Sequence, residues 1–335
     1  MSATMENLPK ISVVIPVEPG GRTDTVLKSL ETIDYPAELV EVIVVEGLSP
    51  SRQRNEGIMC ADGEIVYFLD NDSEVIPDLF RRVVRYYRDK SVVAVGGPAV
   101  THVHDGFFQR CIGSVLASPL ATMGARSKFA PIGKARRASE FELILCNLSF
   151  RRDIIRKAGG FNILLYPNEE NELLNRLGYI GYKFVYDPQA VIHRSRRNTI
   201  WLLFRQIFGY GRGRMEHLMV NPSFFEPVFL APLFFVLYLA LLPLIKSRFF
   251  REPIRYYSMM AFGTGAWIAF KQQELAALFL CPLIFLTVHV AYGLGLISGY
   301  FQLRNASRDR PEPVPVTCYA LKAFDVKNWP ADVTR

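Results

Sequence analysis

The sequence predicts an α/β domain built on a mostly parallel β-sheet, followed by an α-helical region apolar enough to enter a membrane. Three observations predict it. Ile11 to Val17, Val40 to Val45 and Ile65 to Leu69 are Val- and Ile-rich runs without polar alternation, the pattern of strands buried on both faces of a parallel sheet. Each run finishes on an acid, Glu18, Glu46 and Asp70, and ligands of such sheets sit beyond the carboxyl ends of the strands. Half of the 335 residues are apolar, and the excess concentrates after about Phe224.

The elements follow in order. After the first run, Gly20-Gly21 permits a tight exit, and a helix is expected from Asp24, capped by that carboxylate, with Val26, Leu27, Leu30 and Ile33 on one face. Pro36 ends the unit. After the second run, Ser49-Pro50 has the form of an N-cap followed by a first-turn proline, so a helix begins there and carries Arg52, Arg54 and Asn55 near its start. Helix N-termini and guanidinium groups both attract phosphate, and a solvated helix face is the competing reading of the arginines. The third run leads into Asp70-Asn71-Asp72. Three carboxylates gathered at one edge repel unless a cation or hydrogen-bond donors join them, and a divalent metal carrying a diphosphate is the simplest occupant.

This order of strand, Ser-containing turn, Arg54-Asn55 and Phe68-Leu69-Asp70-Asn71-Asp72 resembles the family-2 glycosyltransferases with a GT-A fold, over about residues 11 to 195. The resemblance implies that Glu46 contacts the nucleotide base and that Asp72 coordinates Mg or Mn. Asp70 then supports the ribose or the metal shell, Pro16, Val17 and Glu18 line the nucleoside pocket, and Arg54 joins the nucleotide site. Gly159-Gly160-Phe161-Asn162, followed by Tyr166-Pro167-Asn168-Glu169-Glu170-Asn171-Glu172, is similar to the family's Gly-Gly-Phe segment and the acidic pair opening the next helix. The general base then maps to Glu170, with Glu169 and Glu172 as rivals, because Glu stands where the family has Asp. First-turn acids favoured by the helix dipole are the alternative reading of all three. Asn147 falls in a segment that in the family lies beneath the sugar or acceptor; a structural amide is the alternative. His193 resembles a late histidine that some relatives place near the metal or diphosphate, and an interface histidine is its alternative. His102 and His104 read as structural or acceptor-side. The donor implied is a UDP- or GDP-sugar and the transfer inverting.

Beyond residue 195 the chain changes character. His193 to Arg197 leads into Thr199–Gly209, where Trp201, Leu202, Phe204, Ile207 and Phe208 can form an apolar helix face, and then into Tyr210-Gly211-Arg212-Gly213-Arg214. An aromatic face with arginines at both ends reads as a helix in the bilayer interface. Arg194, Arg196, Arg197, Arg212 and Arg214 then bind headgroups or, in the sharper reading, the phosphate of a lipid-linked acceptor. Gln206 and the Tyr-Gly-Arg segment resemble the Gln-x-x-Arg-Trp motif of processive synthases, but the spacing and the missing Trp argue against processivity.

Phe224 to Ile245 and Leu275 to Tyr300 are long enough to cross a bilayer, and Tyr256 to Phe270 is marginal. If all three cross, the basic loop Lys246 to Arg255 lies outside, against the positive-inside rule. The organisation expected is a catalytic domain over 1–195, an interfacial segment over 196–222, two or three transmembrane helices over 223–300 and a polar, loosely ordered tail over 301–335. Met1 to Lys10 lacks the apolar core of a signal peptide, so a multi-pass protein of the cell membrane is expected, its catalytic domain cytosolic. Five cysteines without metal-like spacing imply neither a disulfide framework nor a zinc site. The formal charge of +7 suits nucleic acid or anionic lipid, and its clustering beside the apolar stretches favours lipid and excludes nucleic acid as the partner. The activity expected is transfer of a sugar to a polyprenyl-type acceptor in envelope polysaccharide or glycan synthesis. A processive synthase and an inactive membrane-bound binding partner are the alternatives. A dinucleotide oxidoreductase is excluded because no Gly-x-Gly-x-x-Gly follows the first strand.

Overall fold

The computed structural model describes residues 8–222, 226–306 and 317–322. In chain order it begins with β1 (Ile11–Val17), α1 (Asp24–Leu30), β2 (Val40–Glu46), α2 (Pro50–Cys60), β3 (Ile65–Leu69) and β4 (Ser73–Val75). There follow α3 (Leu79–Val84), β5 (Val92–Gly96), β6 (Ala99–Thr101), α4 (Phe107–Leu116), α5 (Pro119–Thr122), β7 (Arg136–Arg137) and β8 (Asn147–Arg151). The remainder is α6 (Arg152–Lys157), α7 (Glu169–Tyr179), β9 (Lys183–Tyr186), β10 (Ile192–Arg194), α8 (Ile200–Val220), α9 (Ala231–Leu241), α10 (Arg248–Gln272), α11 (Ala277–Ala306) and β11 (Thr317–Lys322). These group into two compact units, one of residues 1–100, 127–194 and 312–335 and one of 101–126 and 195–311. Residues 101–126, expected within the catalytic domain, therefore cluster with the helices instead.

The first unit holds an eight-stranded sheet in the order β11-β2-β1-β3-β8-β5-β9-β7. Its centre is the parallel trio β2-β1-β3, whose residues are almost all buried, as uninterrupted Val/Ile runs require. β8 joins β3 and β5 antiparallel, and β9 returns parallel to β5. α1 starts at Asp24 as expected, but Thr23 is the N-cap; Asp24 is a first-turn acid bound by the Arg22 Nε at 3.0 Å, and Ile33 lies beyond the helix end. α2 starts at Pro50 with Ser49 at the N-cap, without a side-chain cap bond. The buried Gln53 Nε2 donates to the carbonyls of Val17 (2.7 Å) and Val45 (2.6 Å), pinning the ends of β1 and β2 together.

The expected tail differs from the structure in two places. α11 runs on to Ala306, and Thr317–Lys322 forms β11, antiparallel to β2 with Thr317 opposite Glu46. The rest of 301–335, like residues 1–7 and 223–225, lies outside the described residues.

In the second unit α11 packs on α8, α9, α10 and α4. Three glycines let backbones touch: Gly211 of α8 lies against the Tyr292 backbone, Gly295 of α11 against Phe208, and Gly299 against Arg212, where a Cβ has no room. Of the expected apolar face of α8, Trp201 is 62% exposed and stacked on Phe204, whereas Ile207 is buried. The membrane expectation narrows. α9 has 11 residues, about 16 Å of helix against the roughly 30 Å of a hydrocarbon core. α10, 25 residues long, takes the basic loop from Arg248 onward into its first turns. Among the described residues one helix, Ala277–Gln302, is long and apolar enough to span.

Candidate active site

The acids sit where the sheet places them. Asp70 leaves β3 and closes a tight turn, its N–H bonded to the Ser73 Oγ (3.2 Å) and its carbonyl accepting from the Ser73 N–H (3.0 Å), so Asp70 and Asp72 stand on either side of Asn71. The Asn71 amide donates to the Arg22 carbonyl at 2.8 Å and anchors this turn to the exit of β1. At the neighbouring strand ends Pro16 and Val17 line the edge, Glu18 is exposed, and the Glu46 Oε1 accepts from the Gly20 N–H at 3.0 Å. Glu46 thereby orders the glycine exit of β1 while staying half-buried beside it.

The second half of the site is carried in by the Gly-Gly-Phe segment. Gly159 and Gly160 take φ of +80° and +70°, the left-handed conformation that glycine adopts without a Cβ clash, and their N–H groups close α6 on the Arg156 and Ile155 carbonyls. Phe161 then drops into the core against Phe68 and Phe150. The Asn55 amide grips its backbone in both directions, accepting from the Phe161 N–H and donating to its carbonyl, each at 2.8 Å. Ser51 adds a bond to the Leu165 carbonyl at 2.8 Å. Two α2 residues thus hold the loop that delivers α7, a role that neither side chain shows in isolation. A Cβ on Gly160 meets the Asn55 side chain and demands the same positive φ. Gly160→Val is expected to lower stability by about 2–3 kcal/mol, read as a drop in denaturation midpoint.

The structure separates the three acids that open α7. Glu172 holds Arg176 with both oxygens (2.9 and 3.0 Å), and Arg176 in turn binds the Ala158 and Gly160 carbonyls, so Glu172 braces the glycine turn. Glu169 is 1% exposed and pairs with the Arg54 Nη1 at 2.7 Å. Glu170 is half-exposed and makes no hydrogen bond or ion pair among the described residues. It is the acid of the three whose carboxylate is available to a substrate proton.

Arg54 connects this helix start to the aspartates. Its Nη2 lies 3.2 Å from Asp70 Oδ1 while its Nη1 holds Glu169. Burial disfavours the guanidinium charge, but Glu169 and Asp70 outweigh it and raise the pKa. Burial pushes the Glu169 carboxyl up to about 8, against the opposing pull of Arg54. Arg194, expected on an acceptor phosphate, meets the aspartates instead: its Nη1 is 2.7 Å from Asp70 Oδ2 and its Nε 2.8 Å from Asp72 Oδ1. The five side chains Glu169, Arg54, Asp70, Arg194 and Asp72 form one alternating row of charges.

Other expected residues lie elsewhere. His193 precedes Arg194 on β10, and alternation along a strand aims it to the opposite face. No group of three or more His, Cys, Asp or Glu able to hold a metal occurs among the described residues. Asn147 is fully buried; it accepts from the Tyr67 hydroxyl (2.6 Å) and spends both N–H donors on the Pro98 and Ala190 carbonyls (3.0 and 2.7 Å). That corrects its acceptor-side placement in favour of the structural alternative: both amide N–H donors are spent, and the amide braces the sheet. Arg196, Arg197, Arg212 and Arg214 belong to the second unit. Arg196 contacts Thr101, Arg197 is exposed, Arg212 lies 3.6 Å from Glu216, and Arg214 is buried with its guanidinium 4.1 Å over Phe229. Burial corrects the surface role expected of Arg214. His102 and His104 share a turn after β6, the His104 N–H donating to the His102 Nδ1.

The comparisons agree with this geometry. The model of glycosyl transferase family 2 matches residues 14–159. The succinoglycan biosynthesis protein ExoA of Rhizobium meliloti (strain 1021) is 25% identical over 173 residues, 50% of this chain and 49% of that protein, so the match spans about half the length of that relative. In fold the chain is similar to the mannosyltransferase PcManGT from Pyrobaculum calidifontis, solved in complex with GDP-Man and Mn2+, with a TM-score of 0.58 and 15% identity over 89% of this chain and 88% of that one. The expected α/β class, a GT-A-type sheet joined to a helical region, is therefore the one observed. Residues 14–159, which contain the acid-tipped strands and the aspartate turn, are thus the segment in which the chain is similar to glycosyl transferase family 2.

Proposed function

We propose that the protein is a divalent-metal-dependent, inverting glycosyltransferase that moves a sugar from a nucleotide-sugar donor to a lipid-linked, polyprenyl-type acceptor in envelope polysaccharide or glycan synthesis. The observation that carries this reading is the row of charges that ties the Asp70–Asp72 pair to the start of α7, where Glu170 is left available.

The donor set fits Mg or Mn. Such ions keep several waters and take one or two carboxylates plus substrate phosphates, and Asp70 and Asp72 supply two carboxylates already joined through one cationic group, Arg194. When bound, the ion would neutralise charge developing on the leaving diphosphate. The chain's own residues do the rest. Glu46, Pro16, Val17 and Glu18 border the nucleoside, Arg54 keeps Asp70 and the α7 start in register, and Glu170 accepts the acceptor hydroxyl proton as the oxygen attacks the anomeric carbon. A single base opposite the leaving group is the arrangement of inversion.

The relative named for succinoglycan biosynthesis supports an envelope polysaccharide, and the fold neighbour solved with GDP-Man and Mn2+ supports a GDP-sugar as the first donor to test, with UDP-sugars second. The apolar helix Ala277–Gln302 and the exposed aromatic face of α8 support a place at the cell membrane, with 1–195 as the catalytic part, 196–222 interfacial and 223–300 membrane-embedded. Exposed Arg197 and half-exposed Arg212 remain the candidates for lipid phosphate.

The test is turnover of GDP- and UDP-sugars by the detergent-solubilised protein with Mn, with and without polyprenyl phosphate and membrane lipid extract, beside Asp72→Ala. Lipid-stimulated transfer that falls by about 100-fold or more in the variant is expected. Metal-dependent donor binding without turnover in every acceptor mixture would instead identify a binding protein.

A further inference from the structure

Arg194 is placed by the fold and not by chance of a long side chain. β10 pairs antiparallel with β4 so that Arg194 stands opposite Ser73, the residue following Asp72. From there its guanidinium reaches one oxygen of each aspartate, at 2.7 and 2.8 Å. Two carboxylates this close repel, and a shared guanidinium removes the repulsion with charge-assisted contacts. The two arginines of the row differ in exposure. Arg54 is 7% exposed and clamped between two acids, whereas Arg194 is 20% exposed and its partner Asp72 is 44% exposed. Arg54 is the buried strut of the row, and Arg194 is its solvent-facing member.

We propose that Arg194 is the resident counter-cation of Asp70 and Asp72, occupying their charge until the donor arrives, and that this makes metal binding conditional on the nucleoside diphosphate. The inference rests on the metal-dependent reading above. A divalent ion arriving alone must displace a guanidinium from the same two carboxylates and forfeit both of its short contacts. An ion arriving with a diphosphate brings oxygens that the displaced guanidinium can take. Arg194 therefore couples the two ligands: each favours the other by the same factor.

The experiment is a Mn2+ titration of the full chain in detergent, with free Mn2+ read by electron paramagnetic resonance, without nucleotide and then with GDP or UDP. In the wild type, Mn2+ binding is expected to be weak alone and strengthened by nucleoside diphosphate. Arg194→Gln is expected to bind Mn2+ about tenfold more tightly without nucleotide and to lose most of the strengthening, a coupling of ordinary size. Arg194→Lys, which keeps the charge but not the fork, should show a smaller gain, and it decides the matter if the glutamine variant does not fold. Wild-type protein that gains Mn2+ affinity with nucleotide, beside variants that bind Mn2+ alone no better than wild type, overturns the role of Arg194 and leaves the metal-dependent transferase standing. Absence of Mn2+ binding in every protein with either nucleotide overturns both.

Discussion

Glu170→Gln is expected to reduce sugar transfer by about 100- to 10,000-fold while leaving nucleotide binding within a small factor of wild type. The asymmetry follows from the state of the three acids at the start of α7. Glutamine keeps the size and the first-turn position but cannot take a proton, and Glu170 carries no other bond whose loss would disturb the fold. Transfer assays and nucleotide titration on the same preparation check it. Its neighbours should behave differently. Glu172→Gln releases Arg176 from the glycine turn, so its effect should fall on stability together with activity. A Glu170→Gln enzyme with undiminished kcat would move the base elsewhere.

Arg54→Met is expected to be the most destabilising single change at the site, costing about 3–5 kcal/mol, because it strands the buried Glu169 and removes one of the two cations on Asp70. The loss should depend on pH. The Glu169 carboxyl ordinarily titrates near 4.5 and is raised to about 8 by burial, with Arg54 pulling the other way. A folded-state value above the unfolded one means that the group's contribution is full below the unfolded value and disappears as pH rises through the folded one. Without Arg54 the folded value climbs further, so the decline is deeper and continues past pH 8. Wild type and variant should therefore lose stability in parallel between about pH 5 and 7 and diverge as pH rises through about 8, as thermal unfolding in detergent across that range will show. A gap that is constant with pH would mean that Glu169 is not the group left behind.

What could be read from sequence was local. The first and third strands occupy the residues that their Val/Ile runs mark, and the second extends by one, to Glu46. The acids that end the runs lie at one sheet edge because parallel strands align their carboxyl ends. The pairing of those acids was not legible. Arg54 and Glu169 are 115 positions apart, and Arg194 meets Asp70 only because β10 happens to pair with β4. Nothing in the neighbourhood of any of these residues encodes its partner. Asn147 was ambiguous for the same reason: its three bonds go to Tyr67, Pro98 and Ala190, all remote in sequence. The apolar stretch from Phe224 met the length criterion by composition, yet its helix forms only from Ala231 to Leu241, after Pro227 and a short 3-10 turn. Averaging the polar 301–335 segment hid the six residues of β11.

Those six residues change what the helical unit is. After β10, a strand of the small β4-β10-β6 sheet, the chain builds α8 to α11 and then adds β11 to the eight-stranded sheet beside β2. The helices are thus an insertion between two strands of the first unit, β10 of the small β4-β10-β6 sheet and β11 of the eight-stranded sheet, not a tail. A polypeptide stopped near residue 195 would lack β11 and leave the β2 backbone as a bare, unpaired ladder of N–H and C=O groups, an invitation to edge-to-edge aggregation. Exchange of the helical region between relatives should therefore respect two junctions rather than one, and carry the returning strand with the sheet that it completes.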